Sequence, residues 1–265
     1  EAFLDAAGPG LQGVCNFAVG VNNIDLDACR QRGVVVANTP DAVTEGTANM
    51  ALGLLLAVAR RIVEGDRFAR TGEWVSRAPL SMSEMLGPEL VGRTIHIVGA
   101  GRIGYATALR AQAFGMRVVY TSRRRKPAFE QAPLAARRVA LEEGLAEADV
   151  ISLHTPLTPE TRHLLNAERI GMLKPDAIVI NTSRGPVIDE SALADALRRG
   201  KLFGAGLDVF EDEPSIDPGL VDLTNVVMTP HVGSGEWKWR SEMTRMCEAS
   251  ASAILAGDEP EHIVR

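Results

Sequence analysis

The chain has 265 residues, is 46% hydrophobic and carries a formal net charge of −6. That length gives one or two domains and a sizeable apolar core, and the acidic balance excludes nucleic-acid binding driven by phosphate contacts. Cys15, Cys29 and Cys247 show neither disulfide nor metal spacing, so no metal site is expected and a reducing, cytoplasmic setting fits. The best apolar run, residues 50–59, is too short to span a membrane and is followed by Arg60 and Arg61. No signal-peptide pattern is present, and because the first residue is Glu1 rather than methionine, part of the natural N-terminus is expected to lie outside this sequence.

In chain order, residues 11–16 and 34–37 read as strands, with a helix at 25–32 between them. Residues 44–70 read as one long alanine- and leucine-rich helix with Thr44 as its N-cap, followed by an extended arm at 72–88. Strand patterns at 94–98, 117–120, 150–153, 177–181, 203–207 and 226–228 then alternate with helix patterns at 103–114, 141–148, 167–172 and 190–199. This alternation predicts an α/β fold, a doubly wound parallel sheet with helices on both faces.

The segment TIHIVGAGRIG (94–104) is a strand, a Gly99-x-Gly101-x-x-Gly104 turn and a helix start. In that context the triplet is a dinucleotide fingerprint: Gly99 permits the turn, Gly101 the approach of a pyrophosphate and Gly104 close helix packing. Arg102 and Ile103 open the helix whose N-terminus faces the phosphates, and they join the expected cofactor contacts. The next strand ends not in an acid, the usual partner of ribose hydroxyls, but in Ser122, Arg123 and Arg124. Those residues suit a 2′-phosphate, so NADP is expected over NAD, with NAD possible. The other reading of this loop is a solvated basic stretch.

Three later segments carry reactive side chains: NTSRGPVIDE (181–190), GLDVFEDEP (206–214) and TPHVGS (229–234). Arg184 can fork onto a carboxylate, His231 can exchange a proton near neutral pH, and Glu213 can hold an imidazolium charged and oriented. With a hydride donor nearby, that set can reduce a 2-keto acid.

These blocks, with FAVGVNNIDLDACRQRGVVVANTPDAVTEGTANMALGLLLA and LHTPLTPETRHLLN, resemble the D-isomer-specific 2-hydroxyacid dehydrogenases over nearly the whole chain, and within them the glyoxylate/hydroxypyruvate reductases. The resemblance implies a Rossmann cofactor domain at 43–234. It implies a smaller flavodoxin-like substrate domain from 1–42 plus 235–265, N-terminally truncated because the family's counterpart begins with another strand and helix. It gives Arg184, Glu213 and His231 the catalytic roles, with Arg184 and His231 also binding substrate. Backbone N–H groups of Val19 and Gly20 would hold the substrate carboxylate. Asp208 would lie by the nicotinamide, Thr155 and Pro156 by the adenosine or ribose, and Thr182 and Gly233 close to the cofactor.

The implied partners are a small 2-keto or 2-hydroxy acid and a second copy of the chain in a homodimer, with no nucleic acid and no membrane. Arg77 stands where close relatives carry a second tryptophan in the arm. Trp237, at the start of the last helix, is expected to pack between domains, the alternative being that it closes the pocket. Two other branches remain open: a phosphoglycerate dehydrogenase-like enzyme, which would want a basic cluster near Val19 or Trp237, and a dinucleotide-sensing corepressor-like protein.

Overall fold

Every residue of the strands Thr94–Val98, Val150–Leu153, Ile178–Asn181 and Gly204–Leu207 is buried, as parallel strands covered on both faces must be. The computed structural model describes residues 2–264. Its strands are β1 (Gly13–Cys15), β2 (Val35–Ala37), β3 (Thr94–Val98), β4 (Arg117–Thr121), β5 (Arg137–Arg138), β6 (Val150–Leu153), β7 (Ile178–Asn181), β8 (Gly204–Leu207) and β9 (Val226–Met228). β3 to β9 form one seven-stranded sheet in the order β5-β4-β3-β6-β7-β8-β9, and every pairing in it is parallel. The order reverses between β3 and β6, which opens a crevice at the carboxyl ends of those strands.

Contacts divide the chain into two units, one of residues up to Gly46 with those from Ser234 onward, the other Thr47–Gly233. The sequence expectation puts these divisions after residues 42 and 234. The larger unit has an apolar layer on each face of its sheet. One layer sets Leu54, Leu55 and Val58 with Ala108 and Ala111 against β3 and β7, and the other is built on Leu145, Leu193 and Leu197. In the smaller unit β1 and β2 pair in parallel, and Leu4, Cys29, Val34 and Val36 form a separate core. The helix Trp237–Ala256 packs on β1.

The amino ends of the large sheet are tied by Asp149. Its Oδ2 accepts the Thr94 N–H at 2.8 Å, and its Oδ1 lies 3.3 Å from the Arg93 guanidinium and 3.2 Å from the Lys174 ammonium.

The expectation for residues 44–88 is corrected. The helix foreseen over 44–70 is two helices, Thr44–Ala59 and Ile62–Arg70, bent by 61°. Arg61 takes a left-handed conformation (φ 51°), and its guanidinium forks onto Glu64 at 2.7 and 2.8 Å. The first helix is largely buried and the second buries no residue, so the chain turns where apolar burial ends. Thr44 is the first helical residue rather than the cap, and the arm holds a short helix, Glu73–Arg77. Trp237 is 95% exposed. No single helix among the described residues is long and apolar enough to cross a membrane.

Candidate active site and cofactor cradle

The residues singled out in the larger unit follow the carboxyl ends of its parallel strands. The glycine turn follows β3, Ser122 follows β4, Thr155 follows β6, Thr182 and Arg184 follow β7, Asp208 follows β8, and His231 follows β9. Six separate segments of sequence are thereby brought to one rim, where ligands of open α/β sheets bind.

At the switch point the chain leaves β3 through Gly99 (φ +103°), where a Cβ would sit 2.7 Å from the carbonyl of His154. A Cβ on Gly104 would sit 2.3 Å from the Gly99 carbonyl oxygen, so the helix Arg102–Ala113 can start this close only on glycine. A Cβ on Gly101 would meet nothing, and no side chain caps this helix. Its first N–H groups therefore face an open surface, the arrangement that takes a phosphate. The buried hydroxyls of Thr155 and Thr182 have no hydrogen-bond partner, a state that calls for a polar ligand. A dinucleotide fits these residues.

The loop after β4 is held from behind. Arg138 donates to the carbonyls of Ser122 (2.8 Å) and Arg123 (3.2 Å), while Ser122 Oγ donates to the Arg124 carbonyl at 2.5 Å. Arg125 forks onto Glu130, which also accepts from the Tyr120 hydroxyl at 2.6 Å. Arg123 and Arg124 are exposed and form no ion pair among the described residues.

Arg184 follows the tight turn made by Asn181, whose Oδ1 accepts from the N–H and hydroxyl of Ser183 at 3.0 and 2.8 Å. Asn181 Nδ2 donates to the Arg184 carbonyl at 3.0 Å. Burial pulls the Arg184 guanidinium below its ordinary value, with the Glu213 carboxylate opposing. No carboxylate lies within ion-pair distance of it among the described residues. A half-buried cation that Glu213 reaches only from beyond ion-pair distance, and that donates from Nη1 to the Ser183 carbonyl at 2.6 Å, favours an anionic ligand.

Gly185 explains how this arginine meets the glutamate loop. A Cβ there would fall 1.8 Å from the Phe210 carbonyl carbon and 2.4 Å from the Glu211 nitrogen. Backbone thus lies directly on backbone. In the facing loop Glu213 Oε1 accepts the Phe210 N–H at 3.0 Å, and Oε2 lies 2.7 Å from His231 Nδ1.

His231 itself has a positive φ of 53°, uncommon for a residue with a Cβ and sustained only where the surroundings over-determine it. Asp208 provides that. It is 1% exposed, and its carboxylate accepts from the Thr229 hydroxyl (2.5 Å) and the N–H groups of Val232 (2.9 Å) and Gly233 (2.7 Å). The expectation set Asp208 beside the nicotinamide; here its carboxylate is the buckle of the histidine loop. Nε2 of His231 has no hydrogen-bond partner among the described residues, so a proton carried there is free to be given.

Val19 and Gly20 belong to the smaller unit. The carbonyls of Ala18, Val19 and Gly20 are each held, by the Thr39 N–H (3.1 Å), Asn38 Nδ2 (2.8 Å) and Asn16 Nδ2 (2.7 Å). The N–H groups of Val19 and Gly20 donate to nothing among the described residues. Sequence reasoning missed Asn16 and Asn38, whose signal was an asparagine at each flank of the turn and strand. It also missed Glu190, for which no sequence signal existed.

A parallel sheet of this order, with a glycine turn and an uncapped helix at its switch point, defines a dinucleotide-binding α/β protein. Residues 52–233 match the family described as D-isomer specific 2-hydroxyacid dehydrogenase, NAD binding domain, and the chain belongs to that family, as the sequence resemblance implied. It is 47% identical to the glyoxylate reductase of Thermococcus onnurineus over 97% of its own length and 77% of the relative's. A crystal structure of a Thermus thermophilus protein superposes with a TM-score of 0.91 at 48% identity, covering 98% of this chain and 81% of that one. An NADPH-dependent glyoxylate/hydroxypyruvate reductase from Sinorhizobium meliloti, solved with NADP and malonate, gives a TM-score of 0.87 at 34% identity, covering 100% and 81%.

Proposed function

We propose that this protein reduces glyoxylate, hydroxypyruvate or a similarly small 2-keto acid to the D-2-hydroxy acid, with NADPH preferred over NADH. The observation that carries the reading is the set at one sheet rim: a half-buried arginine with no carboxylate within ion-pair distance among the described residues, and a histidine whose Nδ1 faces a glutamate 2.7 Å away while its Nε2 is free. When bound, the reduced dinucleotide supplies a hydride for the carbonyl carbon. Gly99, Gly101, Arg102, Ile103, Gly104, Thr155, Pro156, Thr182, Asp208 and Gly233 would line it.

Arg184 binds the substrate carboxylate and polarises the keto oxygen. Glu213 accepts the Nδ1 proton of His231, which fixes the ring and leaves Nε2 for the substrate. His231 then gives its Nε2 proton to the keto oxygen; in the oxidative direction it takes that proton back. The free N–H groups of Val19 and Gly20 support the reading of residues 1–42 and 235–265 as a substrate domain that holds the carboxylate.

The NADPH preference is supported by Arg123 and Arg124, which stand without ion pairs at the end of β4, and by Ser122 beside them. A phosphorylated ribose would give those cations a partner. The homodimer is supported by the exposed apolar side chains Ile62, Trp74, Val75, Met82, Leu86 and Val91 along residues 62–91. Light scattering of the purified protein checks it, and a monomer at micromolar concentration removes it.

The test is dinucleotide oxidation with glyoxylate, hydroxypyruvate and 3-phosphohydroxypyruvate. Turnover of the first two with NADPH is expected. Preference for the phosphorylated acid moves the protein to the phosphoglycerate dehydrogenase-like branch. Dinucleotide binding with no turnover of any 2-keto acid leaves a binding protein.

A further inference from the structure

Two successive peptide N–H groups, those of Phe210 and Glu211, are each held by a carboxylate. The Phe210 N–H goes to Glu213 at 3.0 Å and the Glu211 N–H to Glu190 at 2.5 Å. Glu213 is the residue facing His231. Glu190 opens the helix Glu190–Arg198 on a different segment, and is only 5% exposed.

Glu190 is not needed where it starts its helix. The cap position is filled by Asp189, whose Oδ1 accepts the Ala192 N–H at 3.0 Å. The Glu190 side chain turns instead toward the Phe210–Glu211 peptide, into a site walled by two more acids, Glu211 and Asp217. Burial with such neighbours is unfavourable for a carboxylate. The offsetting contacts are the backbone N–H of Glu211 and that of Asp217.

The same peptide is clamped from its other sides. Gly185 lies flat on it, closer than any Cβ would allow. The Glu211 side chain is held by Arg162 at 3.0 Å and by His163 Nε2 at 2.5 Å. The His163 N–H is in turn bonded to the Pro186 carbonyl at 2.8 Å. The segments bearing Arg184 and Glu213 therefore meet at one peptide unit, and Glu190 is the buried side chain that fixes its N–H.

We propose that Glu190 is a positioning residue for the Glu213–His231 pair: by holding the Glu211 N–H it sets the Phe210–Glu211 peptide and, across the Phe210 Cα, the preceding peptide, whose Phe210 N–H orients the Glu213 carboxylate toward His231. This inference rests on the functional reading given above. Glu190 touches neither substrate nor cofactor in this role. Its removal frees the peptide, and Glu213 then no longer presents Oε2 to Nδ1 in a single orientation.

The experiment compares Glu190→Ala and Glu190→Gln in the full chain, with glyoxylate and NADPH. Glu190→Ala is expected to lower kcat by about tenfold or more, with KM for glyoxylate and the Kd for NADPH within about twofold of the parent. Glu190→Gln keeps an oxygen that accepts the same N–H and is expected to recover kcat to within about threefold. A folded Glu190→Ala protein with parental kcat, or a Gln variant as slow as the Ala variant, overturns the proposal. Should Glu190→Ala fail to fold, Glu190→Asp withdraws the carboxylate by one methylene and is read the same way.

A second readout does not need turnover. The His231 Nδ1–H proton resonance, followed by NMR, should be present in the parent and in Glu190→Gln and be lost or broadened in Glu190→Ala. An unchanged resonance in Glu190→Ala sinks the positioning role. Absence of turnover in the parent, with the resonance behaving as expected, sinks only the functional reading.

Discussion

Oε2 of Glu213 lies 2.7 Å from Nδ1 of His231, and the other oxygen of the same carboxylate is bound to the Phe210 N–H. The glutamate is thus oriented by its own loop before it orients the histidine. Replacing His231 by Gln removes the proton donor, and kcat should fall by about 10²–10⁴-fold with NADPH affinity unchanged. Steady-state rates with a separate fluorescence titration of NADPH check this; a rate within a few fold of the parent would show the donor is misassigned.

Arg184→Lys should be nearly as damaging as Arg184→Ala. A lysine carries the charge but not the planar fork. Both KM for glyoxylate and kcat should suffer, with kcat/KM reduced by about 100-fold or more. Parental kinetics in the lysine variant would mean that a point charge suffices there.

Removing Arg123 and Arg124 together should lower kcat/KM for NADPH by about 10–100-fold, the scale of one or two charge-assisted hydrogen bonds. NADH kinetics should hardly change, because neither arginine forms an ion pair among the described residues and Arg123 reaches only the exposed Glu160 at longer range. Equal losses with both cofactors would show that the loop is structural.

Stability should depend on pH through Glu190. Burial, with its acidic neighbours Glu211 and Asp217, pushes its carboxyl up from the ordinary 4.5 to about 7. The folded state therefore binds this proton more tightly than the unfolded chain does. The resulting stabilisation is full below about 4.5 and is lost as pH rises through about 7. Tm of the parent relative to Glu190→Gln should accordingly decline across that window. A flat difference would mean that the carboxyl is not desolvated.

Asp208→Asn should destabilise the protein by roughly 1–3 kcal/mol, because an amide NH2 would face hydrogen-bond donors in a buried site. Urea denaturation measures it. The histidine loop should loosen with it, so kcat should fall as well.

Much of the sheet was legible because its central strands are short runs of mostly apolar residues ended by glycine or polar residues, as at Val98–Gly99 and Leu207–Asp208. The glycine turn was legible because a strand precedes it and a helix follows. The break at Arg61 was not, since neither proline nor glycine marks it and the bend comes from where burial stops. β5 escaped notice because two residues, Arg137 and Arg138, carry no period. Arg184, Glu213 and His231 could be picked by chemistry, but Glu190 could not. An acid at a helix start reads as a favourable first-turn charge, and only the fold shows it turned inward to another loop.

Asp149 ties the amino ends of the sheet while the candidate site lies along the carboxyl ends. The Asp149 knot therefore stands a strand's length away from the chemistry. Substitutions that retune which acid or which dinucleotide is accepted can accumulate along the reactive rim without touching the Asp149 knot. Substitutions at the knot should therefore cost thermal tolerance without costing rate, whereas those at Asp208 cost both, so specificity is freest to change on the reactive rim away from that buried carboxylate.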